Sequence, residues 1–503
     1  MRSYDRLMDK YREAALVGSA MNLMNWDLET YMPPQGIALR SSQLNVLQRI
    51  RHRMIVSGEV GSLLQESENE ADSLDSVQRR NLQLIRRERD IAASVPEDLV
   101  AELESQKAIA WGTWAKAKAA RSWKMFEPEL RKLVDLSIRR AEATMQARDA
   151  SCVYDAVMDD FERGITHSQV AELLKELRIS LMPLVMRYGE ASRGIDTSFL
   201  SRRVPVGTQR NLVRDAVSLI GYDTISDKAR GRIDEAEHPF TEGYYDDVRI
   251  TVNYHEDDLF DALGGGLHEA GHALYEQNLN HNWMYQPIGK AASTGIHEAM
   301  SRFAENTIGL SRSFWTYYMP RFKEITGSTF TDVQIDDLLK AINKIQPSKI
   351  RTKADEITYN LHIIVRFEIE RDLFAGKLQI SELPQVWNDL YDKYLQIQFE
   401  HDGEGILQDA HWSVGAFGYW QCFSLGDICR GMFVRKMEED IGAWCSEVEK
   451  GRFDSVMLWL RDRVQRFGSL YNPQELVEKA TGTALTAEPF VRYLAEKHVD
   501  LWQ

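Results

Sequence analysis

The sequence predicts a large, mostly α-helical protein in which a small β-sheet edges a cleft. Over most of residues 1–230, apolar residues recur three and four positions apart, which is the spacing of an amphipathic helix. The run from Asp246 to Tyr254 instead alternates apolar and polar residues, as a half-buried strand does. The 503 residues show no repeat of solenoid length and no low-complexity linker. We therefore expect one domain over 1–503, with a helical half at 1–230 forming a wall of the cleft, a site-bearing part at 231–430 and C-terminal helices at 431–503.

Proline and glycine mark the boundaries of the predicted elements. Met32-Pro33-Pro34 ends the first helical region, and Val95-Pro96-Glu97-Asp98 begins another. From Leu99 to Leu136 the helical spacing continues, whereas Val204-Pro205-Val206-Gly207 indicates a turn. Gly264-Gly265-Gly266 precedes the next predicted helix, and no Gly-Lys-Ser/Thr follows, so these glycines do not form a phosphate loop.

Composition excludes several classes of partner. Hydrophobic residues make up 44% of the chain and charged residues 27%, as in soluble globular proteins. The net charge is −15 with no concentrated Lys/Arg block, which argues against nucleic acid and anionic membranes as partners. Four cysteines without a C-x-x-C pair argue against a disulfide framework and a thiolate zinc site. Acidic residues near the N-terminus interrupt any signal sequence, and no run of 18 apolar residues occurs, so we expect a cytoplasmic protein.

Two histidines one helical turn apart carry the strongest chemical signal. The segment GGGLHEAGHALYEQ contains His268 and His272, and on an α-helix His272 lies about 40° and Glu269 about 100° round from His268. Both imidazoles can therefore bind one Zn²⁺, while Glu269 can reach a water molecule without being a ligand. This arrangement is typical of a metal hydrolase. The alternative is that both histidines are ordinary polar positions on an amphipathic helix.

A catalytic zinc site needs a third protein ligand, and the extended signature HExxHxxGxxH does not supply it. Tyr275 stands where its glycine belongs and Asn278 where its third histidine belongs. The best candidate is Glu298, on a second helical segment that starts near Ser293-Thr294-Gly295. Two histidines and one glutamate are a known catalytic zinc set.

Glu305 follows Glu298 by seven residues, which returns it to nearly the same helix face. It is positioned either to orient a ligand imidazole or to pair with Arg302 in a solvated salt bridge. We interpret the remaining nearby histidines, His281 and His297, as bystanders rather than ligands.

Six motifs in a fixed order resemble the carboxypeptidase Taq family of metallocarboxypeptidases. The resemblance extends from WDLETYMPPQG at Trp26 to the C-terminal NPQELVEKATGTALTAEPFVRYLAEK. The six motifs are His238-Pro239-Phe240, DVRIT from Asp247, the HEAGH segment, His297-Glu298, IRTKAD from Ile350, and GILQDAHW from Gly405.

The resemblance implies a helical fold with a deep active-site groove, one zinc ion per chain that cobalt can replace, release of single residues from peptide C-termini, and a homodimer. It implies that His268, His272 and Glu298 bind the metal and that Glu269 is the general base. His238 and Arg249 fall in motifs associated with the closed end of the groove, and Arg351 resembles a carboxylate anchor.

Two short segments depart from the family pattern. Ala299 and Met300 replace the serine and glutamine that usually follow the ligand glutamate, and Trp420-Gln421-Cys422 replaces an aromatic-proline continuation. These departures affect hydrogen bonding near the metal and the shape of a loop, respectively.

Each remaining role has a structural alternative. His411 and Tyr419 are candidate donors to the oxyanion, or core residues whose polar atoms are satisfied locally. Arg351 and then Arg249 are candidate anchors for the terminal carboxylate, because a guanidinium offers it two parallel hydrogen bonds. Alternatively, Arg351 pairs with Asp355 and Arg249 with Asp247 as structural salt bridges.

Three rival functions remain open from sequence. A zinc endopeptidase or oligopeptidase needs the same metal site and no carboxylate anchor. An aminopeptidase needs acidic residues for a free amine, for which Glu256, Asp257 and Asp258 are available. A non-catalytic helical binding scaffold with a vestigial metal site is disfavoured by the intact Glu269, because ligation alone does not need that base.

Overall fold

Helices dominate the computed structural model, which describes residues 2–502. Within these residues the α-helices are α1 (Ser3–Thr30), α2 (Ile37–Val56), α3 (Gly58–Asn69), α4 (Ser76–Ser94), α5 (Glu97–Ala119), α6 (Trp123–Arg148), α7 (Val153–Met158), α8 (His167–Ala191), α9 (Val206–Leu219), α10 (Leu259–Asn278), α11 (Thr294–Arg302), α12 (Arg312–Thr326), α13 (Ile335–Ile342), α14 (Tyr359–Phe374), α15 (Leu383–Leu395), α16 (Gln421–Ile441), α17 (Trp444–Val448), α18 (Asp454–Arg463), α19 (Pro473–Thr481) and α20 (Glu488–Trp502). The predicted mostly helical fold is confirmed, and no helix of the described residues is long and apolar enough to cross a bilayer.

A three-stranded sheet has the order β1-β3-β2, formed by β1 (Gly231–Glu235), β2 (Thr241–Tyr244) and β3 (Asp247–Val252). β1 pairs with β3 in parallel and β2 pairs with β3 antiparallel. The predicted strand is thus present as the central β3, whose Val248, Ile250 and Val252 are fully buried. The two edge strands were not predicted, because neither GRIDE nor TEGY carries an apolar alternation.

The helical pattern from Leu99 to Leu136 corresponds to two helices rather than one. α5 ends at Ala119 and α6 begins at Trp123, and Arg121 between them adopts a left-handed conformation with φ of 57°. Helix-favouring Ala, Lys and Arg surround this reversal, so no proline or glycine signals it. At 204–207, the predicted turn leads directly into α9, which begins at Val206 after Pro205.

The three consecutive glycines lie inside α10 and not before it, since this helix begins at Leu259. A side chain at Gly266 would place its Cβ 2.5 Å from Cγ1 of Val213 on α9. At Gly271, it would lie 2.5 Å from the carbonyl oxygen of Met300 on α11. Glycine at these two positions therefore lets α10 pack closely against both neighbouring helices.

Two main hydrophobic cores stabilise the chain, beside a small cluster of Tyr359, Ile363 and Trp420. The larger one extends from α5 to α20 and includes the buried face of β3. The smaller one joins α1, α3 and α4 through Tyr4, Leu7, Tyr11, Val60, Leu63, Leu64, Leu74, Leu82 and Ile85. In α2, Ile55 is the one buried residue, so this helix is held mainly by its polar contacts and by the half-buried side chains around it.

Candidate metal and peptide-binding site

A groove with a volume of about 1390 Å³ lies between the N-terminal helices and the elements around α10. Side chains of α1, α2 and α4 line one part of it, and those of β2, α10 and α11 line another. His268, Glu269, His272 and Glu298 all line this groove. The predicted site therefore lies in the predicted cleft.

The three candidate ligands converge where α10 packs against α11. Oε2 of Glu298 lies 3.9 Å from Nε2 of His268 and 3.6 Å from Nε2 of His272. One donor atom from each of the three residues lies within 4.8 Å of the others. Atoms bonded to a tetrahedral zinc ion at about 2.0–2.1 Å are about 3.4 Å apart, so this donor set fits a divalent metal.

In two of these candidate ligands, the atom that does not face the metal position is hydrogen-bonded to another side chain. Nδ1 of His268 lies 2.8 Å from Oε2 of Glu305, and Nε of Arg302 donates to Oε1 of Glu298 at 2.9 Å. Nε2 of His268 and Oε2 of Glu298 consequently remain available to a metal. Glu305 also lies 3.7 Å from Nη1 of Arg302, so both contacts considered for it are present.

His272 is held by a chain of two further side chains. Its Nδ1 lies 2.7 Å from Nδ1 of His297, and Nε2 of His297 lies 3.0 Å from Oε1 of Glu276. If Nε2 of His272 binds a metal, its Nδ1–H donates to His297, whose Nε2–H then donates to Glu276. Sequence reasoning interpreted His297 as a bystander, although its position next to Glu298 was the available signal. It contacts a ligand without being in the donor set.

The main chain changes its helical pitch immediately after α11. Residues Phe303–Gly309 form a π-helical turn that contains Glu305. The sequence predicts a regular α-helix from Glu298 to Glu305, which would place both on one face. The π-helical turn is wider, so that prediction is wrong. Glu305 nevertheless contacts His268, because the π turn lies against α10. Single π turns of this kind occur frequently at functional sites.

Glu269 lies beside the candidate metal ligands, and its carboxylate is held by a hydrogen bond from the sheet. Oγ1 of Thr241 on β2 lies 2.7 Å from Oε2 of Glu269. Burial raises the pKa of Glu269 above its ordinary value, although His268 and the Thr241 hydroxyl act in the opposite direction. A raised pKa suits a carboxylate that accepts and releases a proton near neutral pH. Thr241 was not identified from sequence, since β2 itself was missed.

The two oxyanion candidates occupy different positions. Tyr419 lines the groove, and burial together with the charge of Glu298 raises its pKa, so the hydroxyl remains a donor. His411 packs against Tyr419 and Trp420 and does not line the groove. Burial lowers the pKa of His411 to about 4, which leaves this imidazole neutral at physiological pH.

Arg351 is buried behind the groove in an ion pair. Its Nη2 lies 2.9 Å from Oδ1 of Asp409, and its Nη1 donates to the Tyr359 hydroxyl at 3.1 Å. Its guanidinium lies 5.3 Å from the ring centroid of Phe423, which lines the groove. The alternative partner, Asp355, instead accepts hydrogen bonds from main-chain N–H groups and Thr358. The i,i+4 salt bridge considered for Arg351 is therefore wrong.

The remaining two candidates lie outside the groove lining. Arg249 pairs with Asp247 at 2.7 Å, as its structural alternative predicted, and lies over the ring of Trp26. His238 is exposed in the connection between β1 and β2, although the next residues, Pro239 and Phe240, do line the groove. The proposed roles of Arg249 and His238 in substrate binding therefore stay predictions.

Two imidazoles and a carboxylate at the base of a groove, with a second carboxylate beside them, define a metal-dependent hydrolase. The family model described as "Carboxypeptidase Taq (M32) metallopeptidase" matches residues 6–498. The chain is 35% identical to thermostable carboxypeptidase 1 of Thermus thermophilus, over 99% of both chains. It is 33% identical to carboxypeptidase 1 of Bacillus subtilis, over 100% of this chain and 99% of that one.

Solved structures agree with the sequence comparisons. The M32 carboxypeptidase of Deinococcus radiodurans superposes with a TM-score of 0.95 at 33% identity, and the carboxypeptidase of Pyrococcus furiosus with 0.94 at 31%. Each comparison covers 99% of both chains. This protein belongs to the carboxypeptidase Taq (M32) metallopeptidase family, and it is a carboxypeptidase.

Proposed function

We propose that this enzyme is a zinc carboxypeptidase that releases single amino acids from the free C-terminus of peptides. The observation that carries the proposal is the convergence of Nε2 of His268, Nε2 of His272 and Oε2 of Glu298 in the groove, with the carboxylate of Glu269 beside them. Two histidines and one glutamate are a catalytic zinc set. The absence of cysteine from the donor set also suits zinc or cobalt in a hydrolytic site.

When bound, such a metal supplies Lewis-acid chemistry, polarising the scissile carbonyl and increasing the acidity of water. Glu269 accepts a proton from the attacking water and passes it to the leaving amine. Thr241 holds the carboxylate of Glu269 in place for both transfers. The Tyr419 hydroxyl, protonated and facing the groove, donates to the oxyanion that forms at the carbonyl.

Recognition of the terminal carboxylate is assigned first to Arg351 and second to Arg249. The position of Arg351 behind Phe423 supports this role, since Phe423 lines the groove. For Arg351 to bind the substrate, its N–H groups must be shared between the substrate and Asp409. Truncation of Arg351 should then lower kcat/KM on free-acid peptides and weaken the discrimination against amidated ones.

Incubation of the zinc-loaded enzyme with matched free-acid and amidated peptides, followed by mass analysis, tests this function. We expect stepwise loss of single C-terminal residues from the free acids and almost no cleavage of the amides. Cleavage within the chain, or equal cleavage of acids and amides, would contradict single-residue release. In that case, the enzyme acts as an oligopeptidase on the peptides tested.

We also infer a homodimer, formed through the exposed apolar side chains of α1 and α2. Leu16 and Leu23 lie seven residues apart on α1, and Leu39 and Val46 have the same spacing on α2. Each of the four is at least 44% exposed, and large apolar side chains exposed on neighbouring helices are typical of association sites. Sedimentation of the wild type and of Leu39→Glu tests the inference, with a dimer expected for the first and a monomer for the second.

A further inference from the structure

One groove arginine differs from the others in having no carboxylate partner. Five arginines of the described chain line the groove, namely Arg51, Arg87, Arg140, Arg148 and Arg163. The first four each form an ion pair with Glu88, Asp159 or Asp160. Arg163 makes a single hydrogen bond within residues 2–502, from its Nε to Oδ1 of Asn472 at 3.1 Å. Its Nη2 is inaccessible to solvent and has no hydrogen-bond acceptor.

A second unpaired guanidinium lies beside Arg163. Nη2 of Arg80 donates to the same Oδ1 of Asn472 at 2.8 Å, and Nε of Arg80 donates to the carbonyl of Ser469 at 3.2 Å. The described residues place no carboxylate within ion-pair distance of Arg80 either. Two cations thus share one neutral amide oxygen, and their mutual repulsion is offset only from a distance, by Glu475 for both and by Asp159 for Arg163.

Main-chain contacts connect the chain segment that carries Arg163 to the candidate metal site. The N–H of Thr294, at the start of α11, donates to the carbonyl of Phe161 at 3.0 Å, and the N–H of Gly295 donates to Glu162 at 2.9 Å. The ring of Phe161 also packs against Tyr419, with centroids 5.1 Å apart. Arg163 therefore extends from a segment that is fixed against the helix of Glu298, and it reaches the groove from there.

We propose that Arg163, with the charge of Arg80 behind it, binds a carboxylate of the peptide substrate. Nη1 of Arg163, which forms no hydrogen bond within the described residues and is not closed to solvent as Nη2 is, presents a charged donor that a carboxylate accepts, and the bound anion offsets the repulsion between the two guanidinium groups. The carboxylate comes either from an acidic side chain of the peptide or from the C-terminus, and in the second case Arg163 replaces Arg351 as the anchor of the terminal carboxylate. This inference rests on the proposed function, because it assumes that a peptide occupies the groove.

The test compares Arg163→Gln and Arg163→Lys with the wild type on three matched peptides: a neutral free acid, its amide, and a free acid carrying one internal glutamate. Loss of a charge-assisted hydrogen bond should lower kcat/KM about 10- to 100-fold, mainly through KM, and lysine should restore part of the loss. A loss on both free acids, with weaker discrimination against the amide, identifies the terminal carboxylate. A loss confined to the glutamate peptide identifies the side chain.

Arg140→Gln is the matched control, because Arg140 lines the same groove but pairs with Asp160. It should leave the ratios between the three peptides unchanged. Unaltered ratios in both Arg163 variants would overturn the inference. Peptide binding measured by calorimetry in a Glu269→Gln background separates this failure from failure of the proposed function, since binding to Arg163 needs no turnover. Equal affinity with and without the Arg163 change would likewise overturn it.

Discussion

Glu269 and the three candidate ligands line the same groove, and we assign them different tasks. Glu269→Gln keeps the shape of the side chain and removes its ability to accept a proton. We expect close to one metal per chain in this variant and a loss of kcat of about 10²–10⁴-fold. Metal analysis and steady-state kinetics on the same preparation measure both quantities. Near-normal turnover would contradict the assignment of Glu269 as the base.

Glu298 and Glu305 provide a second comparison at the scale of single residues. Glu298→Ala removes a donor atom, so metal content and activity should fall together. Glu305→Ala removes no donor atom but only the contacts of Glu305 with Nδ1 of His268 and with Arg302, and we expect a loss of metal affinity or activity of about 10–100-fold. Competition with a chromogenic chelator gives both affinities. Unchanged metal affinity in the Glu298 variant would require a different third ligand.

Several residues around the ligands show what local sequence cannot supply. The proximity of His268, His272 and Glu269 could be predicted because one helix carries all three, and helical spacing is visible in sequence. Arg302 was considered only as a salt-bridge partner, although it orients Glu298. Thr241 and Glu276 each contact a residue on another element, Glu269 and His297, which lie 28 and 21 residues away in the chain. Such contacts depend on packing, which has no local signature.

Among the elements, the contact between α10 and α11 determines whether the ligands can converge. A Cβ at Gly271 would lie 2.5 Å from a main-chain oxygen of α11, so Gly271→Ala should push the helices apart. We expect a loss of about 1–3 kcal/mol in unfolding free energy, together with weaker metal binding. Urea unfolding and metal titration measure the two effects.

Gly264→Ala is the matched control on the same helix. Its Cβ would meet only Oε1 of Glu305 at 3.9 Å, an ordinary contact. Alanine is favoured over glycine within a helix by about 1 kcal/mol, so this variant should be as stable as the wild type or more so. Equal destabilisation by the two substitutions would show that the close approach at Gly271 is unimportant.

Elements were predicted well where periodicity was strong, and poorly where tertiary contacts set the boundary. β3 and the start of α11 at Thr294 agree with the sequence, because alternation and the Ser293 cap are local signals. The start of α10, the reversal at Arg121 and the π turn at Phe303–Gly309 were missed. In α10, the low helix propensity of three consecutive glycines favours a loop. Close packing of the helix against α9 and α11 compensates for the helix stability that these glycines lose.

For the molecule as a whole, buried carboxyl groups link stability to pH. Burial raises the pKa of Glu162 from 4.5 to about 7, despite its hydrogen bond from Gly295. A carboxyl with a raised pKa in the folded state contributes stability at low pH, and this contribution is lost as pH rises through about 7. Glu162→Gln keeps an acceptor for Gly295 and cannot ionise. The variant should therefore gain about 1–3 kcal/mol relative to the wild type between pH 4.5 and pH 8. A difference in unfolding free energy that stays constant across this range would contradict the assignment.

The small core shared by α1, α3 and α4 implies that one side of the groove has its own local stability. These helices bury fewer apolar residues than α10 and α11 do, and α2 beside them buries only Ile55. All four should therefore open without unfolding the rest of the molecule. Native-state amide hydrogen exchange of the monomeric Leu39→Glu variant, in which no dimer interface covers α1 and α2, would then show two groups of protection factors. Zinc should slow exchange in α10 and α11 and leave that of α2 almost unchanged. The chemistry would thus be carried by a slowly exchanging half of the enzyme, while the opposite side of the groove fluctuates on a shorter timescale.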